Sequence, residues 1–342
     1  MSLEDIIKER IRRTGPIPVA DYMALALTHP EYGYYMRKDP LGIQGDFITA
    51  PEISQVFGEL IGAWLAAQWI TMGQPKAALA ELGPGRGTLM ADALRATKHI
   101  GGFHESISVH LVEASPILKQ KQWSALAGKH PDIHWHTHAD ELPAMPLLLI
   151  ANEFFDALPI RQFIQTETGG QERMIGIGAD DRLQFIHPTG TGIVMEYCEA
   201  GEQMARDIGR HINTHGGAAL IIDYGYTGGT RGDTLQAIKS HQYHDVLCES
   251  GTADLTAHVG FAALKQAALA EGAAAYGTVT QENFLGHLGA GARTAKLCEN
   301  ATPPQKSAML SALERLTSPD KMGDLFKVLC LTHPQHPKPE GF

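Results

Sequence analysis

The sequence predicts an α/β protein on a mostly parallel, doubly wound sheet, and three observations carry that reading. An apolar run, Ala77-Ala78-Leu79-Ala80, ends at Glu81 and passes through Gly83, Gly85 and Gly87 into a helix-like stretch over 88–95. Strand, glycine turn and helix in that order form the first half of a nucleotide-binding unit. Further apolar runs at 107–112, 133–137, 147–151 and 218–223 each end near an acid or amide. Those that alternate with helix-like stretches imply right-handed crossovers. Between 161 and 187 the alternation breaks into short strand-like runs separated by Gly and Asp, which predicts an antiparallel insertion at about 161–215.

The 342 residues, 44% hydrophobic and 19% charged, can bury a large core. A net charge of -10 suggests no phosphate-backbone footprint, so no nucleic-acid partner is expected. Cys198, Cys248, Cys298 and Cys330 are widely spaced, as in reduced thiols. No apolar run reaches membrane-spanning length, so no membrane insertion is expected. Glu4, Asp5 and Glu9 make the N-terminus unlike a signal or transit peptide, and a cytoplasmic location is expected.

In order along the chain, 2–13 reads as an amphipathic helix with a Ser2/Asp5 capping box and a Gly15-Pro16 stop. A second helix covers 19–27. The aromatic, glycine-rich stretch 32–54 reads as a functional loop. A strongly apolar helix covers 56–72, and residues 1–74 are taken as an N-terminal helical cap. The core, 75–342, then begins. Helices are expected at 196–211, after a loop within 254–272, at 282–288 and at 304–316. A last apolar strand covers 326–332, and the Pro- and His-rich tail is expected to be loose.

The glycine spacing is G-x-G-x-G, with Thr at 88, whereas a dinucleotide fingerprint is G-x-G-x-x-G. Glu81 would repel a pyrophosphate but accept hydrogen bonds from an ammonium. S-adenosylmethionine (SAM) carries an ammonium and a sulfonium and no phosphate. The loop therefore looks like that of class I SAM-dependent methyltransferases, a Rossmann-like fold. Glu113, after the second strand, suits the ribose hydroxyls of any nucleoside, and Ser115 lies beside it. Asn152-Glu153-Phe154-Phe155-Asp156, after the fourth strand, offers acids, an amide and aromatics for a cationic nucleophile; a helix cap explains the same residues. His134, His136 and His138 would share one side of a strand, yet no partner motif accompanies them and no metal is expected. Asp254 and His258 either cap a helix or reach the cleft.

Taken in order, Tyr32-Gly33-Tyr34-Tyr35, Gly45-Asp46-Phe47-Ile48-Thr49-Ala50-Pro51-Glu52-Ile53-Ser54, the Glu81–Gly87 loop, Asn152-Glu153-Phe154-Phe155-Asp156-Ala157-Leu158-Pro159, Asp223-Tyr224-Gly225-Tyr226, Asp254-Leu255-Thr256-Ala257-His258-Val259 and Met322-Gly323-Asp324-Leu325-Phe326-Lys327-Val328-Leu329 resemble the MidA family over nearly the whole chain. These are mitochondrial respiratory complex I assembly factors and their bacterial relatives. The typical His-Val-Asp-Phe reads His258-Val259-Gly260-Phe261 here, so any role of that acid is absent. The resemblance implies a SAM-dependent protein arginine methyltransferase whose protein substrate, in mitochondrial members, is a complex I subunit. Glu81, Gly83, Gly85, Gly87, Glu113 and Ser115 would hold SAM. Glu153, Asp156 and Asn152 would be catalytic. Asp46, Phe47, Thr49, Pro51, Glu52, Phe154, Asp254 and His258 would meet the substrate. A SAM-binding assembly chaperone without turnover and a nucleotide-dependent oxidoreductase are the alternatives.

Overall fold

The computed structural model describes residues 1–37, 42, 45–46, 48–167, 169–187, 192–228 and 232–342. Seven strands form the spine of the central sheet: β1 (Ala77–Leu82), β2 (Ile107–Val112), β3 (Ile133–His136), β4 (Leu147–Asn152), β5 (Gly217–Tyr226), β6 (Ala274–Thr280) and β7 (Phe326–Thr332). Their spatial order is β6-β7-β5-β4-β1-β2-β3, and the short strand Val259–Gly260 extends the end of β5. The pairs β5/β4, β4/β1, β1/β2 and β2/β3 are parallel. β7 runs antiparallel to both β5 and β6. A dinucleotide-binding sheet has the order 3-2-1-4-5-6. Here a reversed strand is wedged between the fifth and sixth, which sets this sheet apart from that class.

Successive strand residues point to opposite faces, and each face is covered. Leu79, Val109, Leu148, Ile150, Leu220 and Val328 pack under α3 (Gln55–Thr71) and α4 (Thr88–Thr97). Ala78, Leu147, Leu149, Ala219, Ile221 and Leu331 pack under α6 (Glu199–His215) and α7 (Phe261–Ala270). Between them in sequence, α5 (Pro116–Leu126) follows β2. Because β1, β4 and most of β5 are buried on both faces, they read as unbroken apolar runs rather than alternating ones.

A separate core joins α1 (Leu3–Thr14) and α2 (Val19–Thr28) to the antiparallel strands. Leu3, Ile7, Val19, Met23 and Leu27 pack against Ile160, Ile175, Leu183 and Leu255. Ile17–Pro18 pairs with Met174–Ile175, extending that small sheet. The first 74 residues are thus shared between two cores, with α3 in the central one. The Ser2/Asp5 capping box of α1 is formed as the sequence suggests.

The elements differ from expectation in four places. Glu196 lies in a strand, Val194–Tyr197, paired with Arg161–Ile164, and the helix begins only at Glu199, where Cys198 Sγ accepts from Gly201 N–H. β6 and α9 (Ala290–Cys298), which follows α8 (Gln281–His287), were not foreseen. The tail is not loose. The Glu340 carbonyl accepts from Trp64 Nε1 at 2.9 Å, and Phe342 packs on Phe284 beyond α10 (Pro303–Thr317). Among the described residues no helix is long and apolar enough to cross a membrane.

Candidate functional site

The carboxyl ends of β1, β2 and β4 open onto one cavity of about 340 Å³, the place where ligands bind in open α/β sheets. Its floor is the glycine loop. Gly83, Gly85 and Gly87 have φ of +59°, +54° and +81°, a region that disfavours other residues. At Gly83 space is also limiting, since a Cβ there would lie 2.8 Å from the Phe154 ring. The loop leads into the N-terminus of α4, where free peptide N–H groups favour polar ligand atoms. Glu81, Gly83 and Gly85 line the cavity, whereas Gly87 lies behind them against Gln122.

Glu81 is 3% exposed, and its Oε2 has no hydrogen-bond partner among the described residues. Burial raises its carboxyl to about 8. An orphaned buried carboxylate oxygen beside a glycine cradle is complementary to an ammonium. Glu113 is held with one oxygen on Ser115 N–H at 2.8 Å and the other on Gln122 Nε2 at 3.1 Å; burial raises its pKa. Ser115 lines the cavity and caps α5, and Thr137, His138 and Ala139 after β3 close that side. Asp140 is outside the lining.

The loop after β4 supplies the opposite wall. Glu153 adopts φ +50°, an uncommon conformation for a non-glycine residue, while its N–H donates to Ile222 O at 2.9 Å. Its Oε1 accepts from Ala50 N–H at 2.9 Å and Asn152 Nδ2 at 3.2 Å, and burial raises its carboxyl to about 7. Asn152 Oδ1 is buried without a partner among the described residues. Phe154 forms a wall, while Phe155 turns into the core beneath. Thr49, Pro51 and Glu52 reach the cavity from the N-terminal segment. Glu52 accepts from the Thr88 hydroxyl and lies 3.7 Å from Arg86, so this segment is fastened to the glycine loop.

Several expected site residues are elsewhere. Asp156 does not line the cavity; it is buried behind the loop and hydrogen-bonded to Tyr224. Asp223 holds the same turn by accepting from Phe155 N–H and Asp156 N–H at 3.0 and 3.2 Å. Asp46 accepts from Tyr34 OH and Ser240 N–H, both at 2.7 Å, and ties the N-terminal segment to the strand over Gln236–Lys239. Asp254 accepts from Tyr35 OH at 2.7 Å. His258 faces a second cavity and stacks edge-on against Tyr224. These four are thus withdrawn from the first cavity by buried or tertiary partners. Phe47 lies outside the described residues. Met204 lines the cavity without a sequence signal to mark it, and Tyr35 and Met36 of the 32–54 stretch and His138 of the histidine run line it as well. His110, His134 and His136 stack on neighbouring strands, with His110 Nδ1 2.8 Å from His136 Nε2. They bond to one another, to Ser108 and to Asp132.

Residues 60–279 match a family model described as "Putative S-adenosyl-L-methionine-dependent methyltransferase". The chain is 39% identical to protein arginine methyltransferase NDUFAF7 of Xenopus laevis, over 93% of this chain and 81% of that protein. The human protein of the same name is 36% identical, over 94% and 81%. A crystal structure from Burkholderia thailandensis bound to S-adenosyl-homocysteine superposes with a TM-score of 0.86 at 25% identity, covering 99% of this chain and 93% of that one. The NDUFAF7 relatives are named mitochondrial, and this overturns the cytoplasmic location expected from the N-terminal sequence.

Proposed function

We propose that this chain, which belongs to the family of SAM-dependent methyltransferases, transfers the methyl group to an arginine side chain of a protein. The observation that carries the acceptor is the wall after β4. There Asn152 Oδ1 and the second oxygen of Glu153 are acceptors to which no described residue donates. A guanidinium is a planar fork of donors that stays charged, with a pKa above ~12. Two acceptors on adjacent residues suit two of its N–H groups. The names of the relatives support the same acceptor, and the MidA resemblance makes a complex I subunit the first candidate protein.

When bound, the cofactor supplies an already activated methyl group. Glu81 would hold its ammonium, the glycine loop its amino-acid part, and Glu113 its ribose. Glu153 anchors the arginine through one oxygen, because the other is held by Ala50 and Asn152. Asn152 Oδ1 takes the second N–H and helps orient the attacking nitrogen. Phe154 and Leu158 exclude water from that side. The work of these residues is positioning, which converts a bimolecular step into an effectively unimolecular one. Asp156, expected to share the arginine, supports the turn from behind.

The test is methyl transfer from labelled SAM into protein of a lysate, with mass spectrometry locating the label. Label on arginine of a discrete protein is the expected result. Label confined to another residue type rules out the arginine seat.

A further inference from the structure

Gln122 is fully buried in α5, and its amide is saturated. Nε2 donates to the Gly85 carbonyl at 2.8 Å and to Glu113 Oε2 at 3.1 Å. Oε1 accepts from Trp135 Nε1 at 3.0 Å. An indole nitrogen only donates, so Trp135 dictates which end of the amide faces the glycine loop. One side chain thus fastens the left-handed Gly85 to the carboxylate after β2, and both line the cavity while Gln122 does not. Ser115 N–H fixes the other oxygen of Glu113, so the plane of that carboxylate is set from two sides.

We propose that Gln122 is a positioning residue of the cofactor site. It holds Glu113 in the orientation that receives two ribose hydroxyls and keeps Gly85 at the distance the ligand backbone needs. Trp135, on the third strand, is the brace that prevents the amide from rotating. This inference rests on the methyltransferase reading of the cavity, and it adds a residue that touches no ligand atom. A glutamine that merely filled space would be replaceable by any side chain of its shape. Gln122 instead uses both donors and its acceptor in one specific order.

The experiment is calorimetric binding of S-adenosyl-homocysteine and of adenosine to the full chain. Adenosine carries the ribose without the amino-acid part. Gln122→Met keeps the volume and removes all three bonds. It should weaken both ligands roughly ten- to hundredfold, the range for a lost charge-assisted hydrogen bond. In a double-mutant cycle with Glu113→Gln, the combined loss should not exceed the larger single loss by more than about twofold, because the two side chains act as one unit. Gln122→Glu keeps the acceptor for Trp135 and turns the donors against Glu113 and the Gly85 carbonyl. Its affinity should fall most at pH 8 and recover towards pH 5, as the introduced carboxyl regains a proton to donate. A purely structural role predicts otherwise: a lower melting temperature, unchanged affinity of the folded chain, and no such pH recovery. That pattern, or fully additive losses in the cycle, overturns the proposal while leaving the cofactor reading intact. No binding of S-adenosyl-homocysteine by the unmodified chain overturns both.

Discussion

Ala50 donates its backbone N–H to Glu153 Oε1 at 2.9 Å, so a carboxylate after the fourth strand is held by a segment that precedes the whole sheet. The acceptor wall is complete only when 48–54 is docked. The same segment gives Thr49, Pro51 and Glu52 to the cavity and is tied to the glycine loop at Thr88 and Arg86.

Ligand binding should therefore tighten that segment. Amide exchange over 48–54 should slow on addition of S-adenosyl-homocysteine, with a smaller change in α1. Equal exchange with and without the ligand would count against a closing wall.

Glu153→Gln keeps the shape of the side chain and removes its charge. Methyl transfer should fall by at least about a hundredfold, while S-adenosyl-homocysteine affinity and melting temperature hold. Retained transfer at saturating substrate would remove Glu153 from the arginine seat.

Tyr224→Phe tests the corrected role of Asp156. It strips a donor from a buried carboxyl, which should cost about 1–3 kcal/mol of stability. Cofactor affinity of the folded chain should not change. Denaturant unfolding and calorimetry on the same sample separate the two readouts.

Cofactor binding should depend on Glu113 and on Gly83. Glu113→Ala should weaken S-adenosyl-homocysteine by about 1–3 kcal/mol. Gly83→Val should abolish binding, because its side chain meets Phe154 and its backbone sits at φ +59°. Unchanged calorimetric affinity in both variants would refute the cavity as the cofactor site.

The ligand-free cavity should also make stability pH-dependent. Burial raises Glu81 to about 8 and Glu153 to about 7, from 4.5. Between those values the two carboxyls bind more protons in the folded chain than in the unfolded one, so their contribution to stability falls as pH rises from about 5 to about 8. Glu81→Gln should flatten that slope and raise the melting temperature at pH 8. A melting temperature at pH 8 that does not rise in Glu81→Gln contradicts the assignment.

The central sheet was legible because β1, β4 and β5 are compact apolar runs bounded by Gly, Pro, Asn or Asp, and β2 and β7 are short apolar-rich runs. β6 was not: Gly277 interrupts it, and all its residues are only half-buried, so no face carries a pattern. The glycine loop and Glu113 could be placed by spacing. Asp46, Asp156 and Asp254 could not be separated from Glu52 and Glu153, because a sequence shows an acid but not the tyrosine that occupies it. Tyr34, Tyr224 and Tyr35 decide those three cases from distant positions. Gln122 gave no signal, since glutamine is ordinary in a helix and its partners come from three separate elements. The tail looked loose because His and Pro dominate it, yet its contacts run through a backbone carbonyl and one terminal ring.

The reversed strand also governs when this chain can fold. β5 and β6 meet only through β7, which is the last strand in the sequence. During synthesis, everything up to α10 emerges while one side of β5 and the whole of β6 lack their pairing partner. Such open strand edges invite pairing with other chains. A nascent chain stalled before Phe326 should thus be a client for chaperones, and a release of 326–332 from the ribosome should be the event that commits the molecule to its native sheet.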